Sequence, residues 1–218
     1  MKQYQREYLD FCLSAGVLQF GQFTLKSGRI SPYFFNAGLF NTGDLLHAVG
    51  KYYAAAMLDH QQETFKATVL FGPAYKGIPL VSATAIALAC HHGTSLPYVF
   101  NRKEAKDHGE GGNLVGYTKL AGERVLIVDD VITAGTAIRE SFPLLKANKA
   151  EVAGVLVAVD RMERGTGAKS AIQEVQEDMG VPVRAIVSMA DIMTYLEEKG
   201  GYETVLADMR KYRATYGI

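Results

Sequence analysis

Hydrophobic and polar positions follow two different patterns along the chain. In the first sixty residues, apolar positions recur at helical spacing over residues 4–15, and Gly16 is a natural stop. The stretch LQFGQFTLKSGRISPYFFNAG alternates as an aromatic-rich hairpin would, with its turn at Ser27–Gly28. A second helix is predicted over residues 42–59. The amino-terminal part is therefore expected to be a helix, a hairpin and a helix.

Farther along, the pattern changes to repeated strand–turn–helix units. ATVLFGPAYKG predicts a strand and a turn before a helix at 78–91, PYVFNR predicts a short strand, and RVLIVDD predicts a strand before a helix from about Thr136. VAGVLVAVDR and VRAIVSM predict two more strands. Strands that alternate with helices indicate parallel βαβ units, and strands this apolar indicate a sheet covered on both faces. The predicted fold class is α/β.

Two segments do not fit this scheme. NRKEAKDHGEGGNLVG, residues 101–116, is charged and glycine-rich without apolar periodicity, which is typical of a flexible functional loop or a disordered linker. Pro143 lies inside the helix predicted after Thr136, where proline is expected to kink the helix at a cost of about 3 kcal/mol.

Composition narrows the possible partners and compartment. The 218 residues suit one domain with an appended subdomain, and 23 basic residues balance 23 acidic ones. A net charge of zero gives no general attraction to nucleic acid or to an anionic membrane, so neither is expected as a partner. Cys12 and Cys90 have no metal-type spacing, and the apolar runs are too short to cross a bilayer. We expect a soluble cytoplasmic protein.

Adjacent carboxylates end the strand RVLIVDD. Ligands of open parallel sheets bind beyond the carboxyl ends of the strands, where Asp129 and Asp130 are predicted to lie. In the following turn, Gly135 allows tight geometry, and Thr133 and Thr136 offer hydroxyl donors or helix N-caps. Main-chain N–H groups at a helix N-terminus can hold a phosphate, whereas the acids would hold sugar hydroxyls or Mg²⁺. This combination predicts a site for a ribose 5-phosphate; the alternative is a capped helix with solvated acids.

The segment VLIVDDVITAGTA resembles the phosphoribosyl diphosphate (PRPP) signature of the type I phosphoribosyltransferases. TLKSGRISPYFFNAG, FGPAYKGIP, FNRKEAKDHGEGGNLVG and VDRMERG resemble, in the same order, the bacterial members that act on orotate. The resemblance implies one domain, 1–218, with a mostly parallel sheet flanked by helices. It also implies a hood at approximately 1–40 with C-terminal elements, a PRPP-binding core at approximately 60–190 and a flexible catalytic loop at 101–116. The implied reaction joins orotate to the phosphoribosyl group of PRPP and releases pyrophosphate, with Mg²⁺ as cofactor.

The same resemblance assigns residues to roles. The implied catalytic residues are Lys103, Lys106, His108, Asp129 and Asp130. The implied PRPP contacts are Lys26, Tyr75, Lys76, Arg102, Lys103, Lys106, His108, Asp129, Asp130, Val131, Ile132, Thr133, Ala134, Gly135, Thr136 and Ala137. Mg²⁺ would be bound mainly through PRPP, without an assigned direct protein ligand, and through water to Asp129 or Asp130.

The implied orotate contacts are Phe34, Phe35, Thr133 and Arg161. Arg161 follows the strand VLVAVD and could fork onto the orotate carboxylate, or it could form an ordinary salt bridge with Asp160 or Glu163. Apart from the resemblance, Phe34 and Phe35 would be interpreted as core residues. The resemblance further implies a homodimer with shared active sites, in which Arg102 and Lys106 act in trans.

Other functions compete with this hypothesis. A phosphoribosyltransferase for a purine or uracil would have no use for Arg161, because those bases carry no carboxylate. A nucleotide-sensing regulator that lost the chemistry would be expected to lose the loop cations and to gain a basic surface, but Lys103, Lys106 and His108 are present. A phosphate-receiver domain would place its acids at the first strand. The sequence therefore favours the orotate enzyme.

Overall fold

The structure is a computed structural model that describes residues 1–106, 112–133, 135–165 and 167–218, except the side chains of residues 105 and 106. The helices and strands follow the predicted alternation. In chain order they are α1 Gln3–Ser14, β1 Leu18–Thr24, β2 Ile30–Phe35, α2 Gly43–His60, β3 Val69–Gly72, α3 Gly77–His92, β4 Tyr98–Lys106, β5 Gly112–Gly116, β6 Arg124–Val131, α4 Thr136–Ala147, β7 Glu151–Asp160, α5 Ala171–Met179, β8 Val183–Ser188, α6 Met189–Lys199 and α7 Glu203–Tyr216.

Six of the strands form one sheet in the order β5-β4-β3-β6-β7-β8. All neighbours in it are parallel except β4 and β5, which are antiparallel. The non-consecutive order places β3, β6 and β7 in the centre, so their carboxyl ends lie side by side at one edge. This edge is where a ligand site is expected in an open parallel sheet.

The central sheet is covered on both faces, which explains its nearly continuous apolar strands. Along β6, Leu126 and Val128 belong to one buried cluster, whereas Val125 and Ile127 belong to another. The first cluster includes residues of α1, α2, α3, α6 and α7, and the second includes residues of α4 and α5. Because successive side chains of a strand point to opposite faces, two helical layers enclose the sheet. The predicted α/β class is confirmed.

The amino-terminal hairpin forms a second, two-stranded sheet. β1 and β2 pair antiparallel, with Leu18 opposite Phe35 and Phe20 opposite Tyr33. Gly28 has φ 80°, a left-handed conformation that glycine adopts without strain, and it lies in the predicted turn. α7 packs against β2 and thereby joins the end of the chain to the hairpin.

One prediction about the irregular segments is wrong. The segment 101–116 is not a loop throughout, because β4 continues to Lys106 and β5 covers Gly112–Gly116. α4 continues through Pro143, which is exposed, so water can reach the Arg139 carbonyl that lacks a helical partner. Among the described residues, no helix is both long and apolar enough to cross a membrane.

Candidate active site

The carboxyl ends of β3, β6 and β7 carry the predicted chemistry. β6 ends in Asp129, Asp130 and Val131, β3 is followed by the turn 73–76, and β7 is followed by Arg161. Residues separated by nearly ninety positions in sequence therefore meet at one edge of the sheet.

The two acids are largely buried, with each residue 8% exposed. The Asp130 N–H donates to Asp129 Oδ1 at 2.9 Å, and the Val131 N–H donates to Asp130 Oδ1 at 2.8 Å. Lys76 Nζ lies 2.7 Å from Asp130 Oδ2. Asp130 thus has a cation beside it, whereas Asp129 is neutralised by no ion pair among the described residues.

Burial and the neighbouring Asp130 carboxylate raise the pKa of the Asp129 carboxyl to about 7. The Tyr53 hydroxyl donates to the Asp129 carbonyl at 2.7 Å from the buried face of α2. Burial raises the pKa of Tyr53 well above its ordinary value, so the phenol keeps its proton and remains a donor. The Tyr53 hydroxyl thus supports the main chain of Asp129 from the α2 side, and among the described residues Lys76 is the one cation paired with the two acids.

The turn between β6 and α4 leaves a helix N-terminus open. Gly135, at φ 70°, is the residue that caps α4, and no side chain caps the first helical turn. The prediction that Thr133 or Thr136 is the N-cap is therefore wrong, since Thr136 is already the first helical residue. Both threonines are exposed, whereas Ile132 packs in the core. Uncapped N–H groups beside exposed hydroxyls are suited to bind an anion.

Glycine is required at Gly135 for two reasons. Its φ lies in the left-handed region, and an added Cβ would lie 2.8 Å from Val175 Cγ2 on α5. Ala137 lies in the first turn of α4, and Ala134 lies outside the described residues.

The turn after β3 is also built by close main-chain approach. A Cβ on Gly72 would lie 2.4 Å from the Gly77 carbonyl oxygen, and a Cβ on Gly77 would lie 2.5 Å from Pro73 Cδ. The Ala74 N–H donates to Asn101 Oδ1 at 2.7 Å. Tyr75 is 73% exposed, and Lys76 reaches back to Asp130 as described above. The turn presents Tyr75 and Lys76 at the same edge as the acids.

Arg161, the predicted carboxylate ligand, is already engaged. Its Nη2 lies 2.9 Å from Ser31 Oγ and 2.6 Å from Glu163 Oε1. Its guanidinium lies over the Tyr33 ring, with 4.2 Å between Cζ and the ring centroid. The salt bridge with Glu163 left open by the sequence is therefore present, whereas Asp160 accepts from the Met162 N–H instead.

The two phenylalanines of β2 differ in exposure because they face opposite sides of the strand. Phe34 is 36% exposed and stacks on Phe23 with ring centroids 5.5 Å apart. Phe35 is buried against Phe40, so its ring belongs to the core. Phe35 can contact a ligand only through its main chain. Lys26 is exposed at the tip of the same hairpin.

Three of the predicted loop residues, Arg102, Lys103 and Lys106, lie on β4. Lys103 Nζ lies 3.1 Å from Glu140 Oε2 on α4, and Arg102 Nη1 donates to the Gly112 carbonyl at 3.3 Å. The main chain of Lys106 pairs with Gly112 in the ladder, but its side chain lies outside the described residues, as does His108.

Sequence reasoning missed the residues that hold the predicted ones. Ser31, Tyr33 and Tyr53 contact Arg161 or Asp129, yet none stands in a recognisable spacing relative to them. A serine in an otherwise apolar strand was the only available signal for Ser31.

The acid pair also bears on metal binding. Among the described residues, no three His, Cys, Asp or Glu side chains group together as a metal site. Two buried carboxylates with a single lysine beside them fit a hard divalent cation that they would hold through water.

Comparison with known proteins agrees with this geometry. The model of the phosphoribosyl transferase domain matches residues 42–188. Orotate phosphoribosyltransferase from Vibrio cholerae is 62% identical over 218 residues, and the one from Photobacterium profundum is 59% identical over 218 residues, with 100% of both chains covered in each case. A crystal structure of orotate phosphoribosyltransferase from Francisella tularensis, 43% identical, matches with a TM-score of 0.87 over 97% of this chain and 100% of that one. The chain therefore belongs to the phosphoribosyltransferase family and, within it, to the orotate phosphoribosyltransferases.

Proposed function

We propose that this chain transfers the phosphoribosyl group of PRPP to orotate, giving orotidine 5′-monophosphate and pyrophosphate, and thus serves pyrimidine biosynthesis. The observation that carries the proposal is the buried acid pair directly beside an uncapped helix N-terminus at one edge of the sheet. Main-chain and hydroxyl donors next to two carboxylates are complementary to a phosphate joined to a sugar with vicinal hydroxyls. The full-length relatives carry the name of this activity.

On the sugar side, the main-chain N–H groups of residues 133–137 would bind the 5′-phosphate, aided by the Thr133 and Thr136 hydroxyls. Asp129 and Asp130 would accept hydrogen bonds from the ribose hydroxyls. As the bond from C1 to pyrophosphate breaks, positive charge develops on the ribose, and these fixed carboxylates stabilise it. Their unbalanced charge in the free protein is then compensated in the transition state.

The leaving pyrophosphate requires positive charge and exclusion of water. Tyr75 and Lys76 would contact its near side, and Lys26, Arg102, Lys103, Lys106 and His108 would surround it. Cations near the leaving group stabilise the negative charge that grows as the bond breaks. Closure over the site would keep water from competing with orotate for C1.

Orotate differs from other pyrimidine and purine bases in its carboxylate. Arg161 would bind this group, while Phe34, the main chain of Phe35 and Thr133 would border the ring. The guanidinium carries five N–H donors, and the contacts to Ser31 and Glu163 both use Nη2. Among the described residues, these contacts leave donors on Nη1 and Nε with which the side chain can bind a second carboxylate.

Asp129 and Asp130 are the residues that would hold Mg²⁺, through water, with PRPP as its main ligand. The cation would supply positive charge against the diphosphate.

We also propose a homodimer in which Arg102 and Lys106 act in the neighbouring subunit's site. This arrangement can be tested by mixing Asp129→Asn and Lys106→Ala proteins, each inactive alone. If the sites are shared, random hybrids recover up to about one quarter of wild-type activity; no recovery would contradict action in trans.

The activity itself is tested by incubating the protein with PRPP, Mg²⁺ and one base at a time. We expect orotate to be consumed and uracil, hypoxanthine and adenine to be left unchanged. Turnover of one of those bases, with none of orotate, would refute the proposal.

In the same assay, Lys106→Ala should lower turnover far more than it weakens PRPP binding, because the charge of Lys106 matters most as pyrophosphate departs.

A further inference from the structure

Ser31 lies in the hairpin, 130 residues before Arg161, yet the two side chains meet. Arg161 Nη2 donates to Ser31 Oγ at 2.9 Å. Ser31 is fully buried within a strand that also carries Phe34 and Phe35. A strand of the hairpin therefore contacts the residue that follows β7 of the central sheet.

The hydroxyl of Ser31 is fully used. Its proton is donated to the Tyr33 carbonyl at 2.7 Å, and its oxygen accepts from the Tyr33 N–H at 3.4 Å as well as from Arg161. A hydroxyl has one donor and two acceptor sites, so all three are occupied. Because its proton is committed to its own strand, Ser31 can act only as an acceptor toward Arg161.

We propose that Ser31 is a positioning residue of the base site, which fixes one nitrogen of Arg161 so that the others face orotate. This inference rests on the function proposed above. The Tyr33 ring supports the guanidinium from its face, Ser31 Oγ accepts a hydrogen bond from Nη2, and the Glu163 carboxylate forms an ion pair with the same nitrogen at 2.6 Å. The planar side chain then has one orientation, which sets the direction in which Nη1 and Nε point.

Ser31 gives a sharper test than Glu163. Glu163 carries a charge that competes with the orotate carboxylate for Arg161, so its removal would both loosen the guanidinium and increase its attraction for orotate. Those effects have opposite signs. Removal of the neutral Ser31 hydroxyl changes no charge beside Arg161; it also removes the two contacts with the Tyr33 main chain, so the folding of the variant is checked separately.

The experiment compares Ser31→Ala with wild type in steady-state kinetics, varying orotate and PRPP separately. We expect KM for orotate to rise about tenfold, because an acceptor to a charged donor is lost, while KM for PRPP stays within about twofold. Ser31→Cys fills nearly the same space with a weak acceptor, so it should show the same selective defect with packing preserved. Calorimetric titration with PRPP and Mg²⁺ checks that each variant is folded.

Ser82→Ala is the matched control, because its hydroxyl also donates to a main-chain carbonyl, that of Ile78 at 2.9 Å, without touching an arginine. It should leave both KM values unchanged. The inference is overturned if both Ser31 variants keep the wild-type KM for orotate, or if the two KM values rise equally. If wild type itself does not consume orotate, the proposed function fails and the inference fails with it. If wild type consumes orotate and the Ser31 variants behave like it, the inference alone fails.

Discussion

The two halves of the site are built in different ways. The phosphate half, residues 129–137 with the turn 72–77, consists mainly of main chain from two short segments. The base half, Ser31, Tyr33, Arg161 and Glu163, is a network of side chains from distant parts of the chain. Ligand contacts made by main-chain groups survive many side-chain substitutions but not a change of backbone conformation. Contacts made by a network of side chains are disturbed when any one member is replaced.

Their electrostatics also differ. In the phosphate half, two acids are buried with one partly exposed lysine beside them, and burial together with the neighbouring Asp130 carboxylate raises the pKa of Asp129. In the base half, Arg161 already has a carboxylate, Glu163, and each side chain is 12% exposed. The acids of the phosphate half are suited to the positive charge that develops on the ribose. In the base half, Arg161 must bind both Glu163 and the carboxylate of orotate.

The largest expected effect is the loss of turnover on neutralising the acids. Asp129→Asn and Asp130→Asn should each lower kcat by about 100-fold, because each removes fixed negative charge beside the developing ribosyl cation. Asp129→Asn should nevertheless melt at or above the wild-type temperature, since burial and Asp130 disfavour its charged form. Steady-state kinetics and thermal melting test both statements. A variant that keeps its kcat, or an Asp129→Asn protein that melts well below wild type, would contradict them.

In the base half, Arg161→Lys should act on orotate alone. Lysine keeps the charge but lacks the planar fork, so KM for orotate should rise at least about tenfold while KM for PRPP is little changed. Arg6→Lys is the matched control, because Arg6 forms a two-point contact with Glu198 far along the surface, at 2.8 and 2.9 Å. An equal rise in both KM values for Arg161→Lys would show that Arg161 supports the fold rather than the base.

The same division explains what the sequence could predict. The acids, the tight glycine and the helix start lie within nine consecutive residues, so local rules for strand ends and helix N-termini were enough to predict a phosphate site. Arg161 and its salt bridge with Glu163 could be named as candidates, but the contact of Arg161 with Ser31 depends on how two sheets approach each other. No local pattern encodes that distance.

The antiparallel pairing of β5 with β4 was not predicted from the sequence, for another reason. β5 lies at the edge of the sheet, and most of its residues are exposed. An edge strand without a buried face lacks the period-two alternation from which strands are predicted. Its charged, glycine-rich sequence therefore resembled a loop throughout.

A backbone change should affect the phosphate half selectively. In Gly135→Ala, alanine at φ 70° costs about 1–2 kcal/mol, and its Cβ would press on Val175. We expect a lower melting temperature and a severalfold higher KM for PRPP, with KM for orotate much less affected. Gly180→Ala is the control, because Gly180 has φ 68° but open space around its Cβ position. It should lower stability by a similar strain without changing either KM; a raised KM for PRPP there would mean that strain alone, wherever it lies, disturbs the site.

The smallest effect is expected outside the phosphate half as defined above, where Lys103 of β4 has an exposed partner. Glu140 pairs with Lys103 at 3.1 Å, but the side chains are 60% and 41% exposed, so water screens the attraction. Glu140→Gln should leave melting unchanged and KM for PRPP within about twofold of wild type. Lys103→Ala should instead lower kcat strongly if Lys103 neutralises the leaving pyrophosphate. Should Glu140→Gln lower kcat as much as Lys103→Ala, the pair would act as a unit. Binding of the leaving pyrophosphate would then depend on a network of side chains, as binding of the base does.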